Sequence, residues 1–299
     1  MKLIAGTRGS ELAKRQTALV ITELKLKYPA IDIETKIIKT KGDKILNSPL
    51  SKIKGKGLFT KELEMALLSG EIDFAVHSLK DLPVDLPQGL DCSVYLKRDK
   101  PNDVLISKNG KTLKDIPKNG QIATGSLRRA LQLKRIRPDI KTIDIRGNIN
   151  TRLEKFKNSD WDGIVFAYAG LARLDMESEI SQILPFEIML PAVAQGIIAV
   201  EVRTSSKASE YLKELTHLET SILGRAERTF LSAMGGGCQI PLACSSSLLK
   251  DTLTLTGLYM PDNGNFFISE LISGNKENPE GLGKLLAQKI LTKYKELKK

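Results

Sequence analysis

Apolar positions along the first ninety residues switch between the helical and the strand period. Ser10 is placed to cap a helix running to about Lys27, with Leu12, Leu19 and Leu24 on its apolar side, and Pro29 stops it. Ile31, Ile33, Thr35 and Ile37 alternate with Asp32, Glu34 and Lys36, which predicts a strand. Residues 41–57 are basic, contain glycine and are too polar for core, so they read as a loop. Residues 59–68 read as a helix with Leu63, Ala66 and Leu67 on one face and Gly70 beyond its end. A short strand over 72–76 runs into His77-Ser78-Leu79-Lys80-Asp81-Leu82-Pro83.

The pattern then recurs. Strands are expected over 104–106, 122–124, 141–145 and 163–167, the last buried, and helices over 127–135 and 148–157. Strands alternating with helices favour a parallel sheet covered on both faces. After about His217 the style changes. A helix over 218–234 leads into Gly235-Gly236-Gly237-Cys238. Leu253 and Leu255 then alternate with Thr252 and Thr254, a turn follows at Pro261-Asp262-Asn263-Gly264, and a basic amphipathic helix begins near Glu280. Strands grouped before a helix suggest a separate α+β domain.

At 299 residues, with 41% hydrophobic and 27% charged positions, the chain has the composition of a globular protein of two or three domains. The longest apolar runs, such as 163–171, fall far short of a bilayer span, and the first residues show no secretory pattern, so no membrane partner is expected. Three cysteines point to a reducing, cytoplasmic setting rather than a disulfide framework. Forty-six Lys and Arg against 35 Asp and Glu give a net charge of +11. Such a surplus suits a polyanionic partner: nucleic acid, anionic lipid or a carboxylate-rich small molecule. An aromatic content of 5% weakens single-strand binding on stacked rings.

Where the positive charge sits decides more than its total. In Thr124-Gly125-Ser126-Leu127-Arg128-Arg129 a strand feeds a small-residue turn into a helix N-terminus, an anion site in form, although adjacent helix arginines are as often plain surface. Ile145-Arg146-Gly147-Asn148, followed by Arg152, has the same form, as does Ile4-Ala5-Gly6-Thr7-Arg8-Gly9-Ser10. Parallel strands place such turns on one rim, and three turns carrying Arg suggest a cleft for a ligand with several negative groups. Asp81 beside Lys80 is most simply an ion-pair partner; the functional alternative is a carboxylate that accepts ligand N–H bonds or stabilises a developing cation. Cys238, after three glycines, is either a reactive nucleophile or a buried thiol; Cys92 and Cys244 read as strand residues. No Cys/His set has metal-ligand spacing, so no metal is expected, and neither GxxxxGK[ST] nor GxGxxG occurs.

Taken together, Gly6-Thr7-Arg8-Gly9-Ser10-Glu11-Leu12-Ala13, Gly55-Lys56-Gly57-Leu58-Phe59, His77-Ser78-Leu79-Lys80-Asp81-Leu82-Pro83, Gly125-Ser126-Leu127-Arg128-Arg129, Ile145-Arg146-Gly147-Asn148 and Gly236-Gly237-Cys238-Gln239-Ile240-Pro241 resemble, in order, the hydroxymethylbilane synthase (porphobilinogen deaminase) family. The resemblance implies an α/β fold with two periplasmic-binding-protein-like lobes plus a smaller C-terminal α+β domain. Residues 1–96 and 197–215 would form domain 1, residues 97–196 domain 2, and residues 216–299 domain 3 with the cysteine loop. It implies a monomeric transferase that joins four porphobilinogen molecules head to tail, releases ammonia from each, and frees the linear tetrapyrrole hydroxymethylbilane by hydrolysis. The primer would be a dipyrromethane cofactor held by a thioether on Cys238.

Residue by residue, the resemblance assigns cofactor binding to Lys80, Thr124, Ser126, Arg128 and Arg129. It assigns substrate carboxylates or assistance to the reaction to Arg8, Ser10, Arg146, Arg152 and Arg173, and lays Phe59 against a pyrrole ring. Asp81 would be the catalytic carboxylate, accepting pyrrole N–H bonds and stabilising the azafulvene cation formed as ammonia leaves. Residues 44–57 would be a lid over the cleft. Ala123, Ala194 and Ala243 stand where glycine is familiar, each adding a methyl group near backbone that has to bend. A non-catalytic anion receptor would explain the arginine turns but leave the cysteine loop idle. A nucleic-acid binder, suggested by charge alone, would need a continuous basic face and steep salt dependence.

Overall fold

The computed structural model describes residues 2–40, 42, 59–236 and 240–299, with Asp262 and Asn263 described by their backbone. Its elements run β1 (Lys2–Thr7), α1 (Glu11–Lys27), β2 (Asp32–Ile37), α2 (Lys61–Leu68), β3 (Phe74–Ser78), β4 (Leu90–Tyr95), β5 (Asp103–Ser107), β6 (Gln121–Ala123), α3 (Leu127–Ile136), β7 (Lys141–Ile143), α4 (Ile149–Lys157), β8 (Gly163–Ala167), α5 (Tyr168–Ala172) and β9 (Gln182–Ile183). They continue with β10 (Ile198–Arg203), α6 (Lys207–Lys213), α7 (Leu218–Ala233), β11 (Leu242–Leu249), β12 (Thr252–Tyr259), β13 (Ile268–Asn275) and α8 (Pro279–Leu297). The expected loop and lid over 41–57 lie outside the described residues, apart from Gly42. The chain divides into two compact units, Met1–Arg98 with Ile197–Gly224, and Asp99–Gly196 with Arg225–Lys299.

The first unit is built on a sheet of order β2-β1-β3-β10-β4. The side chain of Ser10 caps α1 by accepting from the Ala13 N–H at 3.3 Å, as its place before the apolar run predicts. The face that α1 buries is Ala13, Gln16, Thr17, Val20 and Leu24, whereas Leu19 is 46% exposed. Of the expected Leu12, Leu19 and Leu24, Leu24 is buried as expected, Leu12 is half-buried and Leu19 faces outward. The contact is made by an i, i+3, i+4, i+7, i+11 row, the helical period of one buried face. Val20 and Leu24 join Leu3, Phe74, Val94, Val200 and Leu212 in the core. On the other face α2 packs Leu63, Ala66 and Leu67 against Ile72 and Ala75.

The second unit has a sheet of order β7-β6-β8-β5-β9, whose core holds Leu105, Ile122, Leu133, Val165 and Leu184. Neither sheet is wholly parallel, contrary to the expectation from alternating elements. β1 runs parallel to β2 and β3, and β6 runs parallel to β7 and β8. But β10 is antiparallel to β3 and β4, and β5 is antiparallel to β8 and β9. The register gives the reason. Ile198 opens β10 opposite Ser78, the last residue of β3, and Asp103 opens β5 opposite Ala167, the last residue of β8. Each incoming strand starts at the rim where its neighbour ends, so the antiparallel direction is the one open to it.

The second unit also carries the small C-terminal α+β domain, the antiparallel meander β11-β12-β13 backed by α7 and α8. A Cβ on Gly283 would lie 2.4 Å from the Ala226 carbonyl, so the two helices need glycine there. Leu131 of α3 packs with Leu190, Ala243, Leu258 and Met260, which fastens the meander to the second lobe. Residues 261–264, expected as a turn, form a single helical turn. Among the described residues no helix is long and apolar enough to cross a membrane.

Candidate active site

In the first unit β1 and β3 are parallel neighbours, so their C-terminal ends share a rim. Arg8 and Ser10 follow β1, and Lys80 and Asp81 lie in the 3-10 turn Leu79–Asp81 that follows β3. Gln16 of α1 donates to the Ser78 hydroxyl at 2.8 Å, which ties the capped helix to the end of β3. Buried Leu79 anchors the turn, while Asp81 is exposed. The Arg8 guanidinium lies 4.3 Å from the centroid of the Phe59 ring, so one aromatic face is occupied by a cation. His77 Nε2 is 2.9 Å from Glu201 Oε2, both groups buried, which gives this histidine a structural partner in β10.

In the second unit seven expected site residues stand at or just beyond the ends of the parallel strands β6, β7 and β8. The Thr124 N–H bonds the Ile143 carbonyl, and its side-chain oxygen accepts from the Ser126 N–H at 3.2 Å. A Cβ on Gly125 would sit 2.5 Å from the Ile145 carbonyl, so this glycine lets the β6 and β7 turns touch. Ser126 occupies the cap of α3 without a side-chain cap bond, so its hydroxyl does not serve the first-turn N–H groups. Asn148 caps α4 by accepting from the Thr151 N–H at 2.8 Å. Arg152, on the next turn, lies over the Phe166 ring at 4.8 Å. Arg146 Nε is buried without a hydrogen bond, its nearest carboxylate being Asp144 at 3.8 Å.

Arg128 and Arg129 do not splay outward as the first-turn reading implies. Both are about 7% exposed and converge on Asp103, which is fully buried. Arg128 Nη2 lies 2.7 Å from Asp103 Oδ2, and its Nη1 donates to the Leu190 carbonyl at 2.5 Å. Arg129 donates to Asp103 Oδ1 from Nε at 3.1 Å and Nη2 at 2.7 Å, and to the Val165 carbonyl at 3.1 Å. Burial alone would raise the Asp103 carboxyl; the two guanidinium charges outweigh it and hold the group at about 2. Arg173 is drawn against the crossing segments, donating to Asp99 Oδ2 at 2.9 Å and to the Gly196 carbonyl at 2.6 Å. Burial lowers its pKa, against the pull of Asp99.

Two residues of consequence went unmarked in the sequence, Asp103 and Gln195. Gln195 donates from Nε2 to Asp103 Oδ1 at 2.9 Å and to the Pro101 carbonyl at 2.7 Å. A polar residue heading the apolar run Val104-Leu105-Ile106 was the one visible sign of Asp103. Of the glycine loop, Gly235 and Gly236 have φ of 98° and 55°, the left-handed region that glycine permits. Gly237, Cys238 and Gln239 lie outside the described residues, so the cysteine expected to carry the cofactor has no placement. Cys92 and Cys244 are buried in β4 and β11.

Two family models match the chain. One is described as porphobilinogen deaminase, dipyromethane cofactor binding domain, over residues 3–211, and the other as porphobilinogen deaminase, C-terminal domain, over residues 222–292. A porphobilinogen deaminase of Clostridioides difficile is 45% identical over 98% of this chain and 98% of its own length. One of Chlorobaculum tepidum is 44% identical over 97% of this chain and 95% of its own length. Among solved structures, the periplasmic VFT2 domain of Bordetella pertussis BvgS aligns with TM-score 0.39 and 16% identity, over 74% of this chain and 86% of that one.

Proposed function

The chain belongs to the porphobilinogen deaminase family, and on that premise we propose how its residues divide the work. It is an enzyme of tetrapyrrole biosynthesis, a hydroxymethylbilane synthase with a dipyrromethane cofactor, and residues 3–211 match the domain that binds that cofactor. The reaction joins porphobilinogen units head to tail with loss of ammonia. Each pyrrole brings an acetate and a propionate, so every addition increases the negative charge to be held.

The observation that carries this reading is the cationic excess at the rim of the second unit. Two buried guanidiniums share one carboxylate there, and a third arginine keeps a buried Nε without a hydrogen bond. That donor set fits a polycarboxylate, because buried cations short of counter-charge are stabilised by an anionic ligand. Lys80, Thr124, Ser126, Arg128 and Arg129 hold the cofactor, which when bound supplies the pyrrole to which the first substrate unit is joined. Cys238 carries it through a thioether, a linkage that resists hydrolysis. Arg8, Ser10, Arg146, Arg152 and Arg173 receive substrate carboxylates, and Phe59 offers the ring face not covered by Arg8 to a pyrrole. Asp81, exposed at the end of its turn, accepts the pyrrole N–H and stabilises the positive charge that develops as ammonia departs.

The same reading makes the protein a cytoplasmic monomer, with residues 1–96 and 197–215, 97–196, and 216–299 as its three domains. Porphobilinogen is its small-molecule partner. Intact mass spectrometry of the denatured protein, expressed in a host that makes porphobilinogen, tests the core of this. Wild type and Cys244→Ser should carry the added mass of two pyrrole units, and Cys238→Ser should not. An unmodified wild-type chain would refute the reading.

A further inference from the structure

Asp103 opens β5 and has no exposed surface. Three side chains reach it from separate places in the second unit: Arg128 and Arg129 from the first turn of α3, and Gln195 from the segment that leads into β10. Gln195 is 1% exposed, and its second acceptor is the Pro101 carbonyl, two residues before Asp103. The residues on either side of Gln195 have left-handed backbone, with φ of 61° at Ala194 and 91° at Gly196. Ala194 is held by its N–H, which donates to Glu227 Oε2 at 2.6 Å.

One carboxylate between two buried guanidiniums is a poor way to stabilise a fold. A one-to-one pair would neutralise itself, and an apolar trio of the same volume would avoid the desolvation cost. The arrangement leaves one positive charge in excess and aims both arginines from a single point. We propose that Asp103 is a positioning residue for the cofactor: it fixes Arg128 and Arg129 in register with each other and, through Gln195, with residues 194–196. This rests on the reading of Arg128 and Arg129 as the arginines that hold the cofactor. Asp103 touches neither cofactor nor substrate; it acts through the two guanidiniums and the amide.

The test is cofactor loading in Asp103→Asn, which keeps size and one acceptor oxygen but removes the charge and sets an N–H group against Arg128. Full-length wild type and variant are expressed in a porphobilinogen-making host. The folded fraction is isolated by size exclusion and checked by circular dichroism, and its intact mass is measured. Wild type should carry two pyrrole units, whereas the folded variant should be loaded at least tenfold less. An effect on folding alone would lower the recovered yield and leave the loaded share of the folded fraction unchanged, and that result overturns the proposal. Should Asp103→Asn not fold, Gln195→Met is measured in its place, since it keeps all three charges and frees one side of the carboxylate. A threefold or larger loss of loading is expected, and wild-type loading overturns the proposal. An unmodified wild type refutes the cofactor reading itself and this inference with it. A loaded wild type beside a normally loaded variant refutes only the role of Asp103.

Discussion

Asp81 and Asp103 are carboxylates in opposite surroundings, which suit the different roles proposed for them. Asp81 is exposed beside Lys80 at the tip of a turn anchored by Leu79, free to meet a ligand without a desolvation cost. Replacing an exposed residue away from caps and core changes stability by within about 0.5 kcal/mol. Losing a group that stabilises developing charge costs about a hundredfold or more in rate. Asp81→Ala should therefore melt within about 2 °C of wild type and form tetrapyrrole at least about a hundredfold more slowly. Tetrapyrrole production at near the wild-type rate would remove Asp81 from the chemistry. Among the arginines, Arg146 keeps an unbonded Nε, whereas Arg129 gives three of its five N–H donors to Asp103 and the Val165 carbonyl and keeps two for a ligand.

Among the elements, the segment 191–196 shows where a single residue type is at odds with its backbone. Of Ala123, Ala194 and Ala243, only Ala194 has positive φ, 61°, and the Glu227 carboxylate holds its N–H there. The left-handed region costs an L-residue about 1 kcal/mol or more, partly offset by the greater freedom glycine has when unfolded. Ala194→Gly should raise the melting temperature by about 1–3 °C. Ala123→Gly and Ala243→Gly, at positions without that strain, should lower it. A lower melting temperature for Ala194→Gly would show that the bend is not strained. Much at this scale was legible beforehand. Ser10 caps its helix as placed, and the strands over 104–106 and 163–167 are there. Local pattern carries such features because caps and periodicity depend on residues a few positions apart. The antiparallel sense of β5 and β10 was not legible, since it depends on pairing with strands far away in the sequence. Nor were Gln195 and Asp103, which meet across 92 positions.

For the molecule as a whole, the net charge of +11 acquires a purpose in a substrate that becomes more acidic with every unit added. The buried carboxylate at position 103 also gives the fold an acid limit. Its folded pKa of about 2 lies below the unfolded value of about 3.9. Its contribution, about 2 kcal/mol, is thus complete above about pH 4 and is lost as pH falls toward 2. Glu64, whose pKa burial raises, works in the opposite sense and is unchanged in an Asp103 variant. The urea midpoint of wild type should therefore fall more steeply between about pH 4 and 2 than that of Asp103→Asn. Parallel declines would mean that the carboxylate is not charged against its arginines. The sheet order β2-β1-β3-β10-β4 bears on biosynthesis as well. A chain emerging from the ribosome presents β3 and β4 long before β10, the strand that belongs between them, has been translated. Through that interval both edges stand open to mispairing, and the first lobe is completed only after the core strands of the second have emerged.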